Sequence, residues 1–145
     1  MAEKAPDGRT TIGEEAAELS YLQQLYQGQY EELGRSVNAA IQELNELNRV
    51  KETLDSTESI KDRNMLSQIG SGAYIHCKAD SMEKVVVNVG ANYFVEKGID
   101  DAKQFITKMT ERQTMTINAL LKSRDELEGA LIDVSIRLER LANRQ

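Results

Sequence analysis

From Leu19 to Leu54, core-type residues recur at alternating steps of four and three. They are Leu19, Gln23, Tyr26, Tyr30, Leu33, Val37, Ala40, Leu44, Leu47, Lys51 and Leu54, and nine of these eleven are apolar or aromatic. Steps averaging 3.5 residues put all of them on one narrow stripe of an α-helix. So narrow a stripe suits packing against one other helix rather than burial in a globular core. A second run comprises Ile106, Thr110, Gln113, Ile117, Leu120, Arg124, Leu127, Leu131, Val134, Leu138 and Leu141, with eight of eleven apolar. The only proline is Pro6, so neither run is forced to break.

The helix starts carry their own signals. Thr11-Ile12-Gly13-Glu14 fits a capping box, in which the threonine hydroxyl and the glutamate carboxylate each satisfy the other's backbone N–H. Asp100 and Asp101 stand where a second helix start favours negative charge. Glu31–Arg35, Lys122–Glu126 and Asp133–Arg137 have the spacing of exposed i,i+4 pairs.

Between the runs the period changes to two. Tyr74–Ala79 alternates, and Lys84–Val89 puts Val85, Val87 and Val89 on one face of a strand. Tyr93–Glu96 is a third strand candidate and Met65–Ile69 a weaker fourth. Gly70-Ser71-Gly72, Asp80-Ser81-Met82-Glu83 and Gly90-Ala91-Asn92 supply turn chemistry. The expected order is a helix over about 11–58, two β-hairpins over about 64–97 and a helix over about 99–145. Residues 1–10, small, polar and broken by Pro6 and Gly8, are expected to be a mobile tail. Residues 11–145 are expected to form one domain, mainly α.

If the helices fold back antiparallel, residues at one height have a constant number sum. Thr57 and Asp100 set it at about 157, which pairs Gln145 with Ile12, where the capping box places the helix start. Each helix would then reach roughly 65–70 Å at 1.5 Å per residue. An intermolecular rod would not insert valine-rich strands at its centre.

Composition narrows the function. The net charge of −6 argues against a nucleic-acid binder and disfavours an anionic membrane surface. No 18-residue apolar run and no signal-peptide pattern occur, so a cytoplasmic protein is expected. Cys77 is the only cysteine and His76 the only histidine; on a strand they point to opposite faces, so they cannot form a nucleophilic pair. No zinc spacing and no glycine-rich phosphate loop is present. No catalytic residue, metal or cofactor is expected.

One stretch is more specific than the heptads. Gly70-x-Gly72-x-Tyr74-Ile75, followed by Lys84-Val85-Val86-Val87-Asn88-Val89-Gly90-Ala91-x-Tyr93-x-Val95-Glu96-Lys97, resembles the α-class subunits of prefoldin (also called GimC), the archaeal form above all. The resemblance covers nearly all of the chain after residue 10. It implies two β-hairpins per chain and a hexamer of two α and four β subunits. Hairpins of all subunits would form a β-barrel platform bearing coiled-coil arms. The arms would hold unfolded clients without ATP and pass them to a group II chaperonin.

Two sets of residues follow. Ile75, Val85, Val87, Val89, Tyr93 and Val95 are expected to assemble the platform, because the helices use their stripes on each other and leave the hairpin faces for other chains. At the free arm ends, Leu22 and Leu25 match Ile132 and Ile136 in height by the sum rule. These four, with frayed Leu19, Leu138 and Leu141, are the expected client-binding residues. A structural scaffold or tether is the alternative function.

Overall fold

A computed structural model of the chain describes residues 11–144. The elements are α1 (Ile12–Asp55), α2 (Thr57–Ile60), β1 (Met65–Gly70), β2 (Ala73–Cys77), β3 (Lys84–Gly90), β4 (Tyr93–Gly98) and α3 (Ile99–Ala142). The tail expected over 1–10, and Gln145, lie outside the described residues.

The capping box forms as its residues require. Glu14 N–H donates to Thr11 Oγ1 at 3.2 Å, and Thr11 N–H donates to Glu14 Oε2 at 3.1 Å. The helix expected to reach 58 stops at Asp55. Ser56 turns its N–H back onto the Glu52 and Thr53 carbonyls, and the four-residue α2 follows. Asp62 then takes a left-handed conformation (φ 61°) that leads into β1. At the other junction Gly98 closes β4 and α3 starts at once. The Ile99 N–H donates to the Glu83 carbonyl at 3.2 Å, so a backbone group serves where no capping side chain stands.

The chain divides into two compact units. The terminal unit comprises the described residues up to Ala39 together with those from Ile117 onward; the hairpin unit is Ala40–Thr116. In the terminal unit Leu19, Val134 and Leu141 are buried together, with Ala16, Tyr26 and Leu138 packed on them. In the hairpin unit the cluster is Leu54, Val87, Ala102 and Ile106, with Leu47, Val85, Ile99 and Phe105 against it.

The heptad positions carry both clusters. All twenty-two except Lys51 are buried or half-buried, and Lys51 is exposed. The polar interruptions have their own partners across the helices. In the terminal unit Gln23 Nε2 donates to Ser135 Oγ at 3.1 Å. In the hairpin unit Gln113 Nε2 donates to the Ala40 carbonyl at 3.0 Å. The numbers of these pairs total 158 and 153, close to the expected 157, so the antiparallel register holds in each unit separately. Arg124 differs from the glutamines. It lies over Tyr30, 5.9 Å from the ring centroid, and its Nε is buried with no hydrogen-bond partner among the described residues.

On the surface, Asp133 and Arg137 pair at 3.1 Å as the spacing predicts. Arg35 pairs with Glu32, one step closer than the expected Glu31, and their hydrogen bond raises the Arg35 pKa. Both partners are exposed, so the pair contributes little stability.

Each sheet has two strands, β1 with β2 and β3 with β4, both antiparallel. The weak Met65–Ile69 candidate is a full strand: Met65 faces Cys77, Leu66 His76, Ser67 Ile75, and Gln68 Tyr74. In the second hairpin Val85 faces Lys97, Val87 faces Val95, and Asn88 faces Phe94. Its turn places Ala91 (φ 47°) and Asn92 (φ 60°) in the left-handed region, as a two-residue hairpin turn of matching twist demands. Asn92 tolerates this through its short polar side chain, whereas Ala91 is held there at some cost. Asn88 Oδ1 accepts from the Gly90 N–H at 2.9 Å and braces the turn.

Candidate functional site

The chain offers two kinds of open surface, one on each unit. In the hairpin unit, strand alternation divides β3–β4 into two faces. Val85 and Val87 turn onto the helices, and Val87 is only 9% exposed against Leu54, Ala102 and Ile106. This corrects the expectation that the helices leave the valine face to other chains. The first turn of α3 adds Ile99 and Ala102 to the stripe residues Leu54 and Ile106, and the valines complete that cluster. Of the six residues expected to assemble the platform, Val87 is thus intrachain core and Val85 is half-buried beside it. Val89, Tyr93 and Val95 remain exposed. On the opposite face Val86 and Phe94, which sequence reasoning passed over, are more than 60% exposed.

The β1–β2 hairpin has no buried face. Only Met65 and Cys77 are half-covered; every other residue of its strands is exposed. One face carries Leu66 and Tyr74, the other Ile69 and Ile75, all exposed. A two-stranded hairpin of this kind is marginal in water, and its outer edges present unpaired N–H and C=O groups. The signal that could have found Leu66 and Tyr74 was the second face of the alternation, which looks polar only because Gln68 and His76 separate them.

In the terminal unit the seven expected client-binding residues fall into three environments. Leu19, Leu138 and Leu141 belong to the seam: the first and last are buried, and Leu138 is half-buried. All three are covered while the helix ends stay folded, so their exposure rests on fraying. Ile132 (56% exposed) and Ile136 (43%) line a groove of about 710 Å³ with Leu131, Ser135 and the α1 residues Gln23 and Gln27. Leu22 and Leu25 are absent from that groove. Spacings of four and seven, from Leu22 to Tyr26 and Gln29 and from Leu25 to Gln29 and Glu32, put them on the other flank of α1, where those three residues line a second groove of about 550 Å³. Equal height, which the sum rule gives, does not mean the same side.

Among the described residues no three histidine, cysteine or acidic side chains converge as a metal site. His76 is exposed and Cys77 half-buried, on opposite faces of β2. No helix of the described residues is long and apolar enough to cross a membrane.

Long helices that complete their own seam, joined by two β-hairpins of which the first is exposed on both faces, define a coiled-coil protein with open strand surface. The Prefoldin subunit family model matches residues 26–144. The chain therefore belongs to the prefoldin family, as an alpha-type subunit. It is 33% identical over 92 residues to prefoldin subunit alpha 1 of Thermococcus kodakarensis, a match spanning 63% of each chain, just under two thirds of that relative. It is 26% identical over 133 residues to prefoldin subunit alpha of Pyrococcus horikoshii, spanning 90% of each. Among solved structures it resembles filamentous PFD from Methanocaldococcus jannaschii, determined by cryo-EM. The TM-score is 0.55 at 27% identity, covering 84% of this chain and 96% of that one.

Proposed function

We propose that this chain is one subunit of an oligomeric holdase chaperone, which binds unfolded polypeptide without ATP and passes it to a group II chaperonin. Its partners would be β-class prefoldin subunits, two α with four β in a hexamer. The observation that carries this reading is the β1–β2 hairpin, exposed on both faces with apolar side chains and open edges. Such a surface calls for neighbouring strands. Once assembly fixes several subunits together, the exposed Leu25, Ile132 and Ile136 of each would bind a client weakly, and the set would bind it with avidity.

The filamentous relative favours a second reading, in which copies of this chain join each other into a structural scaffold. Native mass measurement of the chain alone and after coexpression with a β-class subunit separates the two. The holdase reading expects a defined hetero-oligomer that suppresses aggregation of an unrelated unfolded protein without ATP. Open-ended growth of the chain alone, with no suppression, would support the scaffold.

A further inference from the structure

The groove holding Ile132 and Ile136 has a charge pattern that points to a particular class of client segment. Glu128, Ile132, Ile136 and Glu139 follow one another on α3 at steps of four, four and three, and all four line the groove. Those steps keep them on one flank of the helix. The apolar centre is therefore bracketed by a carboxylate at each end. Glu31 of α1 joins the Glu128 end, since 31 and 128 total 159 and lie at nearly one height. No lysine or arginine lines the groove. The facing wall is Gln23, Gln24, Gln27 and Gly28. Gln23 Nε2 donates to Ser135 and Gln27 Nε2 to Glu31, and the other side-chain amide N–H and C=O groups of the three glutamines can pair with a peptide backbone whatever its sequence.

We infer that this groove takes extended polypeptide segments with a short apolar stretch between two basic residues. This deepens the holdase reading and rests on it. The spacing sets the length. Eleven residues of α3 separate Glu128 from Glu139, about 16 Å along the helix axis. Extended chain covers that distance in about five residues at 3.3 Å each. Successive side chains of an extended segment alternate, so two lysines share a face only at an even separation. Five apolar residues between two lysines give six steps, about 20 Å, and the flexible lysine stems take up the difference, so both ammonium groups reach the carboxylates while the apolar side chains of that face meet Leu131, Ile132 and Ile136. Such segments are common where lysines flank the strands of soluble proteins, and unfolding lays them bare.

The test uses the full-length chain in its native oligomer and two fluorescent peptides. One holds five apolar residues between two lysines, the other the same core between two glutamates. The lysine-flanked peptide should bind roughly tenfold more tightly at low salt, and the ratio should shrink towards one in 1 M salt, where screening acts within about 3 Å. Glu31→Gln, Glu128→Gln and Glu139→Gln together should erase the preference without changing the oligomer's mass. Gly28→Leu supplies the second variant. Apart from the neighbouring residues and backbone of its own helix, nothing lies within 4 Å of a Cβ built there, and leucine favours the helix, so the fold stays while the side chain fills the groove. It should cut binding of the lysine-flanked peptide at least fivefold. Equal binding of both peptides would overturn the inference and leave the holdase reading standing. A preference that persists in the triple glutamine variant, or binding untouched by Gly28→Leu, would move the site elsewhere. If neither peptide binds and aggregation of unfolded protein proceeds unchecked, both the inference and the holdase reading fail.

Discussion

The two hairpins have almost the same length and the same antiparallel pairing, yet they stand in opposite relation to the rest of the chain. β3–β4 lays Val85 and Val87 on helical residues of its own chain. β1–β2 lays nothing on them. Strand alternation alone does not tell the two apart, because both alternate. What differs is what the neighbouring helix ends offer. Leu54, Ala102 and Ile106 form an apolar seat of valine size, and β3 runs directly to it through β4 and the start of α3. The first hairpin is joined to α1 through Ser56, the short α2 and the left-handed Asp62, and no such seat meets its side chains. One hairpin has part of one face covered by its own chain, and the other has neither face covered.

Three substitutions test that contrast. The largest effect is expected from Val87→Asp, which places a carboxylate among Leu54, Ala102 and Ile106. Stability of the isolated chain should fall by about 3 kcal/mol or more, enough to melt the hairpin unit at ambient temperature. Thermal circular dichroism of the unassembled chain provides the check. If its melting were unchanged and only oligomer mass dropped, Val87 would be an intermolecular contact and the contrast would collapse.

Leu66→Asp combined with Tyr74→Asp addresses the other hairpin. Both side chains are exposed, so the isolated chain should keep its melting point, within about 0.5 kcal/mol for each change. Assembly should be lost, because a partner would have to bury two charges. Native mass after coexpression reads the outcome directly. Retention of the full oligomer would show that the partner surface lies on Val86 and Phe94 instead.

A smaller effect carries the distinction between finished and unfinished surfaces into the helices. Gln23 and Gln113 are seam residues with partners, whereas Arg124 has a buried Nε with none. Its stacking on Tyr30 returns about 0.5–1 kcal/mol, against about 1–3 kcal/mol for the unsatisfied donor. Arg124→Leu should therefore raise the melting point, by about 1 kcal/mol in stability. A lower melting point would show that the guanidinium is held by a group beyond Tyr30.

Much of this was written locally. The heptad steps identified twenty-one of the twenty-two seam positions that the fold covers, because a stripe on a helix can meet only another stripe. Lys51 failed because its long stem leaves the stripe for water, which spacing cannot register. The capping box was legible because both partners lie within four residues. The placement of the residues proposed to bind clients was legible only in part. Leu25, Ile132 and Ile136 are exposed as expected, but the sum rule fixes height and says nothing of rotation about the helix axis. Leu22 and Leu25 were thereby merged with two isoleucines that belong to another flank.

What the sequence by itself determined is the elements and their order: two long helices with complementary stripes and two hairpins between them. These rest on periodicity, turn residues and capping, all decided within a few residues of chain. Only the tertiary structure decided which apolar faces the chain covers. Val87 became core and Leu66 surface through contacts between segments distant in sequence. Burial is a property of what lies opposite a side chain, and a strand's alternation names its two faces without saying which one will find a neighbour.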